Sequence, residues 1–222
     1  MLRWLQKAGP ESAGLTEIHT RFLQMLADGR HIFDAAANCV LGGGDPEVIR
    51  ENLYRTDKRI NLTEQRIRRE IVVHGSIHGS ATFPALLVMM SLVKDAERIG
   101  DYAKNLFELA VMRPDLGPAD ELRKLVEVKD QVSSMLVRAQ GLFETQNQEA
   151  AKEFLIENDR LQKYCDAEVE RLIRTEGENA AVRVLLHRYI KRVTGHAGNV
   201  VTSIVMPVDK LDYFPGKPQS EQ

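Results

Sequence analysis

The sequence predicts an all-α protein built as two tandem three-helix bundles of long antiparallel helices. Apolar residues recur at three- and four-residue spacing through most of the chain, and no segment alternates in the way a strand does. The helical pattern of the first half also returns in the second. We expect a first repeat over residues 1–114, a second over residues 115–207 and a partly disordered C-terminal tail over residues 208–222.

The first half contains three predicted helices. The first spans residues 16–40 and ends at a run of three glycines. The second begins at Asp45-Pro46-Glu47, which offers a capping oxygen, a proline suited to the first helical position and an acid near the positive helix end. It runs to about His74, where the segment HGSIHGSATFP is interpreted as a chain reversal. The third helix follows and extends to Pro114.

The second half repeats this rhythm after a turn-rich segment, RPDLGPAD, close to the midpoint of the chain. Short breaks at Asn147-Gln148 and at a GEN turn separate its helices. The predicted spans are about Asp120 to Gln146, then to about Thr175, then about Ala180 to Met206.

Composition excludes several classes of protein. A formal net charge of -2 does not suggest nucleic acid as a partner, and no stretch is apolar enough to span a bilayer. Cys39 and Cys165 form no Cys-x-x-Cys pattern and fall inside helical segments, so we expect two reduced, buried thiols. These features together predict a cytoplasmic location.

The two halves align over their last helices. ERIGDYAKN (97–105) matches KRVTGHAGN (191–199) at an offset of 94 residues (191 − 97). The middle helices align as TDKRINLTEQRI (56–67) with NDRLQKYCDAEV (158–169). With the E-R-x-x-D signature of ERIGDYAKN in this duplicated chain, and D-x-x-x-N on the helix before it, the sequence resembles the PhoU family of phosphate-uptake and phosphate-signalling regulators, over nearly the whole chain.

The resemblance implies a cytoplasmic regulator of phosphate homeostasis that restrains phosphate uptake and phosphate-starvation signalling through protein contacts. The implied partners are cytoplasmic components of a phosphate transporter, a sensor histidine kinase and a second copy of the chain as a homodimer. It implies no nucleic acid partner and at most a peripheral association with membranes.

Acidic residues line one edge of two predicted helices. Glu97 and Asp101 lie four apart on the third helix, while Asp57, Asn61 and Glu64 flank the apolar stripe of the second. If these helices are neighbours, two oxygen-rich edges face one another, which suits a hard or borderline cation. The ordinary alternative is a row of solvated ion pairs, each worth roughly 0.3–0.5 kcal/mol.

The resemblance implies that Glu97 and Asp101, with Asp57 and Asn61 opposite, hold a divalent or iron-type metal ion such as iron or zinc. The second half departs from this pattern because Lys191 and Gly195 replace the two acids of the signature, and Lys163 replaces Asn61. We therefore expect no metal in the second repeat.

The histidines carry weaker signals. Because Gly75 separates them and Gly79 follows, His74 and His78 are predicted to be a loop pair without fixed geometry. His196, at the position of Tyr102 in the first half, is assigned a packing role.

No catalytic arrangement is recognisable by spacing, so the chain is predicted not to be an enzyme. Two alternatives stay open: a metal-dependent hydrolase or oxidoreductase that uses Glu97 and Asp101, and a diverged helical scaffold that has lost the metal and phosphate roles.

Overall fold

The computed structural model describes residues 13–78, 82–112, 114–174 and 180–214. Within these ranges the chain forms six long α-helices and no strand, followed by a short 3₁₀ turn at Val208–Lys210. The all-α prediction is therefore confirmed. The helices are α1 (Ala13–Gly42), α2 (Pro46–His78), α3 (Phe83–Val111), α4 (Ala119–Thr145), α5 (Gln148–Ile173) and α6 (Ala180–Val205).

Each half packs its three helices differently. In the first bundle α1, α2 and α3 all contact one another, whereas in the second α6 lies against both α4 and α5, which barely touch each other. Between the halves, α3 packs along α6 and α1 along α4. One continuous set of buried apolar side chains extends through both bundles, with Phe22, Phe107, Phe143 and Phe154 fully buried.

The turn between α1 and α2 follows the predicted chemistry. Gly43 adopts a left-handed backbone with φ 67°, which glycine tolerates without strain, and the Gly44 amide donates to the Cys39 carbonyl at 3.1 Å. The Glu47 amide donates to Asp45 Oδ1 at 3.2 Å, and Pro46 is the first residue of α2.

The predicted end of α2 is wrong, because the helix continues through His74 to His78. Gly75 packs tightly on α3: a Cβ at this position would lie 3.0 Å from Phe83 Cε1 and 3.3 Å from Leu86 Cδ1. Tertiary contact with α3 outweighs the low helix propensity of one glycine. His74 and His78 are therefore not a loop pair; they lie one turn apart with ring centroids separated by 4.2 Å.

The other boundaries agree closely with the sequence. The third helix ends at Val111, before the predicted limit at Pro114. The break between α4 and α5 is built by Gln146, with φ 55°, and by Asn147, whose side chain accepts a hydrogen bond from the Ala150 amide at 3.2 Å. The predicted GEN turn lies outside the described residues.

The first part of the predicted tail packs on the second bundle. Val208, Leu211 and Phe214 contact the apolar core, and the Asp212 amide donates to Thr202 Oγ1 at 3.2 Å. Residues 215–222 lie outside the described residues. Across the described helices, none combines the length and hydropathy required to cross a membrane.

Both cysteines are buried and free, as predicted. Burial raises the pKa of the Cys165 thiol to about 12, so this sulfur stays protonated at neutral pH.

Candidate functional site

The acidic edges of α2 and α3 face one another, as the sequence predicts if the two helices are neighbours. The glycine inside the ERIGD signature permits this approach: a Cβ on Gly100 would lie 3.1 Å from Ile60 Cδ1 and 3.5 Å from Ile32 Cδ1. The signature therefore combines a packing glycine with the flanking acids Glu97 and Asp101, which border the interface between the helices.

Two lysines of α3 lie among these acids. Lys94 Nζ is 2.6 Å from Glu97 Oε2 and 4.0 Å from Glu64 Oε1. Lys104 Nζ is 3.4 Å from Asp57 Oδ1 and 3.6 Å from Asp101 Oδ1. Each ammonium group thus links a carboxylate of α2 to a carboxylate of α3.

The remaining contacts complete an ion-pair network. Arg98 Nη1 lies 3.1 Å from Asp101 Oδ2. Asn61 Nδ2 lies 3.5 Å from Asp57 Oδ2, so Asn61 directs its amide nitrogen, and not its oxygen, towards this acid. All four predicted ligands consequently have protein partners in this arrangement.

Glu64 is the member of the site that sequence reasoning left out of the ligand set. It is buried, and burial raises the pKa of its carboxyl, which the neighbouring carboxylates Glu97 and Asp101 raise further. Arg68, 2.9 Å from Glu64 Oε1, acts in the opposite direction. Glu64 lies seven residues after Asp57 on the same helical face, and this spacing is the sequence signal that could have placed Glu64 in the site.

Lys104 is held in its charged form. Burial lowers the pKa of its ammonium group, but Asp57 and Asp101 more than compensate, and the net shift is upwards. A fixed positive charge therefore lies between these two predicted ligands.

The donor set fits a hard cation in chemistry, since it consists of carboxylate and amide oxygens. Its arrangement differs from a preformed metal centre: in the described part of the chain no three His, Cys, Asp or Glu side chains converge as ligands. Lys94 and Lys104 supply the positive charge that balances these acids.

In the second bundle, a lysine replaces one of the two acids that face each other across the helices. Lys191 Nζ lies 2.5 Å from Asp166 Oδ2, at the positions that Glu97 and Glu64 occupy in the first bundle. A pair of facing acids has thus become a pair of opposite charge. Lys163 pairs similarly with Asp159 at 2.6 Å, within α5.

A polar network joins the two bundles where α3 meets α6. The buried Asp95 carboxylate lies 2.8 Å from His196 Nδ1 and accepts from Asn199 Nδ2 at 2.9 Å. The His196 ring also stacks on Tyr102, with centroids 5.7 Å apart. The packing role predicted for His196 is therefore supplemented by a hydrogen bond that spacing did not suggest.

Two repeated three-helix units, with facing acidic edges in the first, define a duplicated helical-bundle protein. Residues 16–110, most of the first half of the chain, match the family model of the PhoU domain. A comparison with curated protein sequences gives no significant match.

Two solved structures share the architecture of both halves. The crystal structure of PhoU from Pseudomonas aeruginosa superposes with a TM-score of 0.75 and 18% identity, covering 87% of this chain and 96% of its own. The phosphate transport system regulatory protein PhoU from Streptococcus pneumoniae gives a TM-score of 0.69 and 17% identity, covering 86% and 94%. At these identities the likeness establishes the fold.

Proposed function

We propose that this protein regulates phosphate transport by binding other proteins, and that it restrains phosphate uptake and starvation signalling when phosphate is plentiful. The PhoU domain over residues 16–110 carries this proposal. The similar fold of a phosphate transport system regulatory protein from Streptococcus pneumoniae supports it.

A contact-based role has structural support at the end of the first bundle where α2 ends and α3 begins. Four large apolar side chains are exposed there: Val73 at 52%, Ile77 at 70%, Phe83 at 45% and Leu87 at 60%. Clustered apolar exposure of this kind is typical of protein interaction surfaces. The proposed partners are cytoplasmic transporter components, a sensor histidine kinase and a second copy of the chain.

We further propose that the acidic edge binds a divalent or iron-type cation through oxygens of Glu97, Asp101, Asp57 and Asn61. Such an ion supplies the charge that Lys104 now provides between Asp57 and Asp101. Calorimetric titration with zinc and iron(II) tests this site. Binding should be lost in Glu97→Ala/Asp101→Ala and retained when the second-half acid Asp166 is changed to alanine.

The functional test is phosphate uptake in phosphate-replete cells of the source organism. Cells lacking the chain should take up phosphate faster than cells that express it, because a restraint has been removed. Equal uptake in the two strains contradicts the regulatory role and favours the diverged scaffold. Metal-dependent turnover of a substrate by the purified protein, lost in Glu97→Ala, would instead indicate an enzyme.

A further inference from the structure

The second bundle contains a small cavity of about 20 Å³ between α5 and α6. This volume holds one water molecule or one small ion. Its lining includes Asn158, Asp159 and Gln162 from α5 and Gly195, Gly198 and Thr202 from α6.

The internal repeat explains why the cavity exists. With the 94-residue offset, Gly195 and Gly198 occupy the positions of Asp101 and Lys104 in the first bundle. There, Lys104 places its ammonium group 3.4 Å from Asp57. The matching acid, Asp159, is retained in the second bundle and pairs with Lys163 of its own helix at 2.6 Å, whereas α6 has no lysine at position 198. The cavity therefore lies where the first bundle holds an ammonium cation.

One lining residue, Asn158, is buried and has an unpaired acceptor. Asn158 is only 4% exposed, and its Oδ1 has no hydrogen-bond partner within the protein. Gly198 makes this placement possible, because a Cβ there would lie 2.3 Å from Asn158 Nδ2. An unpaired buried amide oxygen is costly, so a donor or a cation in the cavity relieves a real penalty.

Other oxygens surround the same space. Gln162 Oε1 lies 3.9 Å from the position of a Cβ on Gly195. The Asp159 carboxylate pairs with Lys163 at 2.6 Å, which leaves it partly neutralised. Amide oxygens beside one partly neutralised acid suit a singly charged hard cation better than a divalent one.

We propose that this cavity binds one monovalent cation, sodium, potassium or ammonium, in place of the ammonium group that Lys104 supplies in the first bundle. The Asn158 amide oxygen is its buried ligand. Asp212 and Phe214 of the C-terminal segment complete the lining, and the Asp212 amide bonds Thr202 at 3.2 Å. Cation binding therefore also stabilises the packing of this segment on α6.

Thermal unfolding at constant ionic strength tests the proposal. Tetramethylammonium chloride, whose cation is too large for about 20 Å³, is replaced stepwise by sodium, potassium or ammonium chloride. We expect at least one of these cations to raise Tm by about 3 °C at 100 mM. The cation with the largest effect identifies the ligand, and sodium-23 or nitrogen-15 ammonium NMR measures its binding directly.

Two variants test whether the rise in Tm comes from a cation bound in this cavity. Asn158→Ala should weaken the apparent affinity at least about tenfold. Gly195→Ala puts a methyl group beside the cavity, in ordinary contact with Gln162, and should abolish the cation response while the protein stays folded. The control is Gly141→Ala, another helical glycine, with no atom within 4 Å of its Cβ position; it should keep the full response.

Equal Tm values in all four salts overturn the proposal and leave an ordinary water as the occupant of the cavity. A cation response that survives in Gly195→Ala overturns it as well, because the ion then binds elsewhere. Neither result bears on phosphate regulation, which the uptake measurement tests separately.

Discussion

Tyr102 and His196 stack with ring centroids 5.7 Å apart and planes inclined by 22°, and the 94-residue offset of the repeat relates these two positions. By the same offset, Asp95 corresponds to Tyr189 and His196 corresponds to Tyr102. Asp95 contacts His196, and the corresponding pair, Tyr189 and Tyr102, is also in contact, with rings 6.1 Å apart. Helices α3 and α6 therefore pack about an approximate two-fold axis between Tyr102 and His196. The two halves face one another as the subunits of a symmetric dimer do.

The hydrogen bonds of Asp95 should stabilise this contact between the halves. Asp95→Ala leaves His196 and Asn199 without their shared acceptor, and we expect it to lower the free energy of unfolding by about 1–3 kcal/mol. Urea denaturation measures the change. In a double-mutant cycle, Asp95→Ala and His196→Ala should be clearly non-additive; additive losses would show that the bond contributes little.

Gly198 should be irreplaceable as long as Asn158 is present. A Cβ at this position would lie 2.3 Å from Asn158 Nδ2, so Gly198→Ala should destabilise the protein by about 1–3 kcal/mol despite the better helix propensity of alanine. Adding Asn158→Ala should recover part of the loss. Gly141→Ala, which meets no neighbour, should instead be neutral or stabilising by up to about 1 kcal/mol.

The raised pKa of Glu64 predicts that this residue lowers the stability of the folded protein as the pH rises. Its carboxyl binds protons more readily in the folded than in the unfolded chain, where its pKa is 4.5, so its contribution to stability falls as the pH rises from 4.5 through the folded pKa. Glu64→Gln should therefore gain stability relative to the wild type between pH 4 and pH 7.5. Denaturation curves at several pH values in chelator-containing buffer measure this gain.

The matched control for Glu64 is its counterpart Asp166, which faces Lys191 and not another acid. Asp166→Asn removes an exposed opposite-charge pair and should cost about 0.2–1 kcal/mol at neutral pH. A Glu64→Gln variant that loses stability relative to the wild type as the pH rises would contradict a Glu64 pKa raised by burial and by the neighbouring acids.

His187 should make the fold sensitive to mild acid. It is buried, and burial lowers the pKa of its imidazole from 6.5, so the unfolded chain takes up a proton that the folded chain resists. This contribution to stability is complete above pH 6.5 and is lost as the pH falls from 6.5 through the folded pKa. His187→Leu should lose less stability between pH 7.5 and pH 5.5 than the wild type.

The half-buried His19, whose imidazole pKa is also lowered by burial, acts in the same direction as His187. His187→Leu should therefore reduce the acid sensitivity without abolishing it. An unchanged slope would mean that His187 does not titrate in this range.

The sequence predicts the helices well because their boundaries are set by local chemistry. The glycine run after α1, Pro46 and the Asn147 cap all act within a few residues of the chain. The end of α2 could not be predicted in this way, because Gly75 is retained in the helix by Phe83 and Leu86 of the neighbouring α3.

The site shows the same division. Helical spacing predicts that Glu97 and Asp101 share an edge with Asp57 opposite, but spacing does not reveal that Lys104 lies between Asp57 and Asp101. Spacing also does not reveal the cavity beside Asn158, which exists because Gly195 and Gly198 of α6 have no side chains. Such features arise from packing between helices, which residue spacing along the chain does not reveal.

The most direct test of the account is a complementation measurement of phosphate uptake in phosphate-replete cells. A strain lacking the chain receives the wild type, Glu97→Ala/Asp101→Ala or, as the matched control, Asp166→Ala. We predict that the wild type and the control restore low uptake, whereas the double variant, present at an equal level, does not. Unrestrained uptake with the wild type, or full restoration by the double variant, would contradict a regulator that acts through its acidic edge.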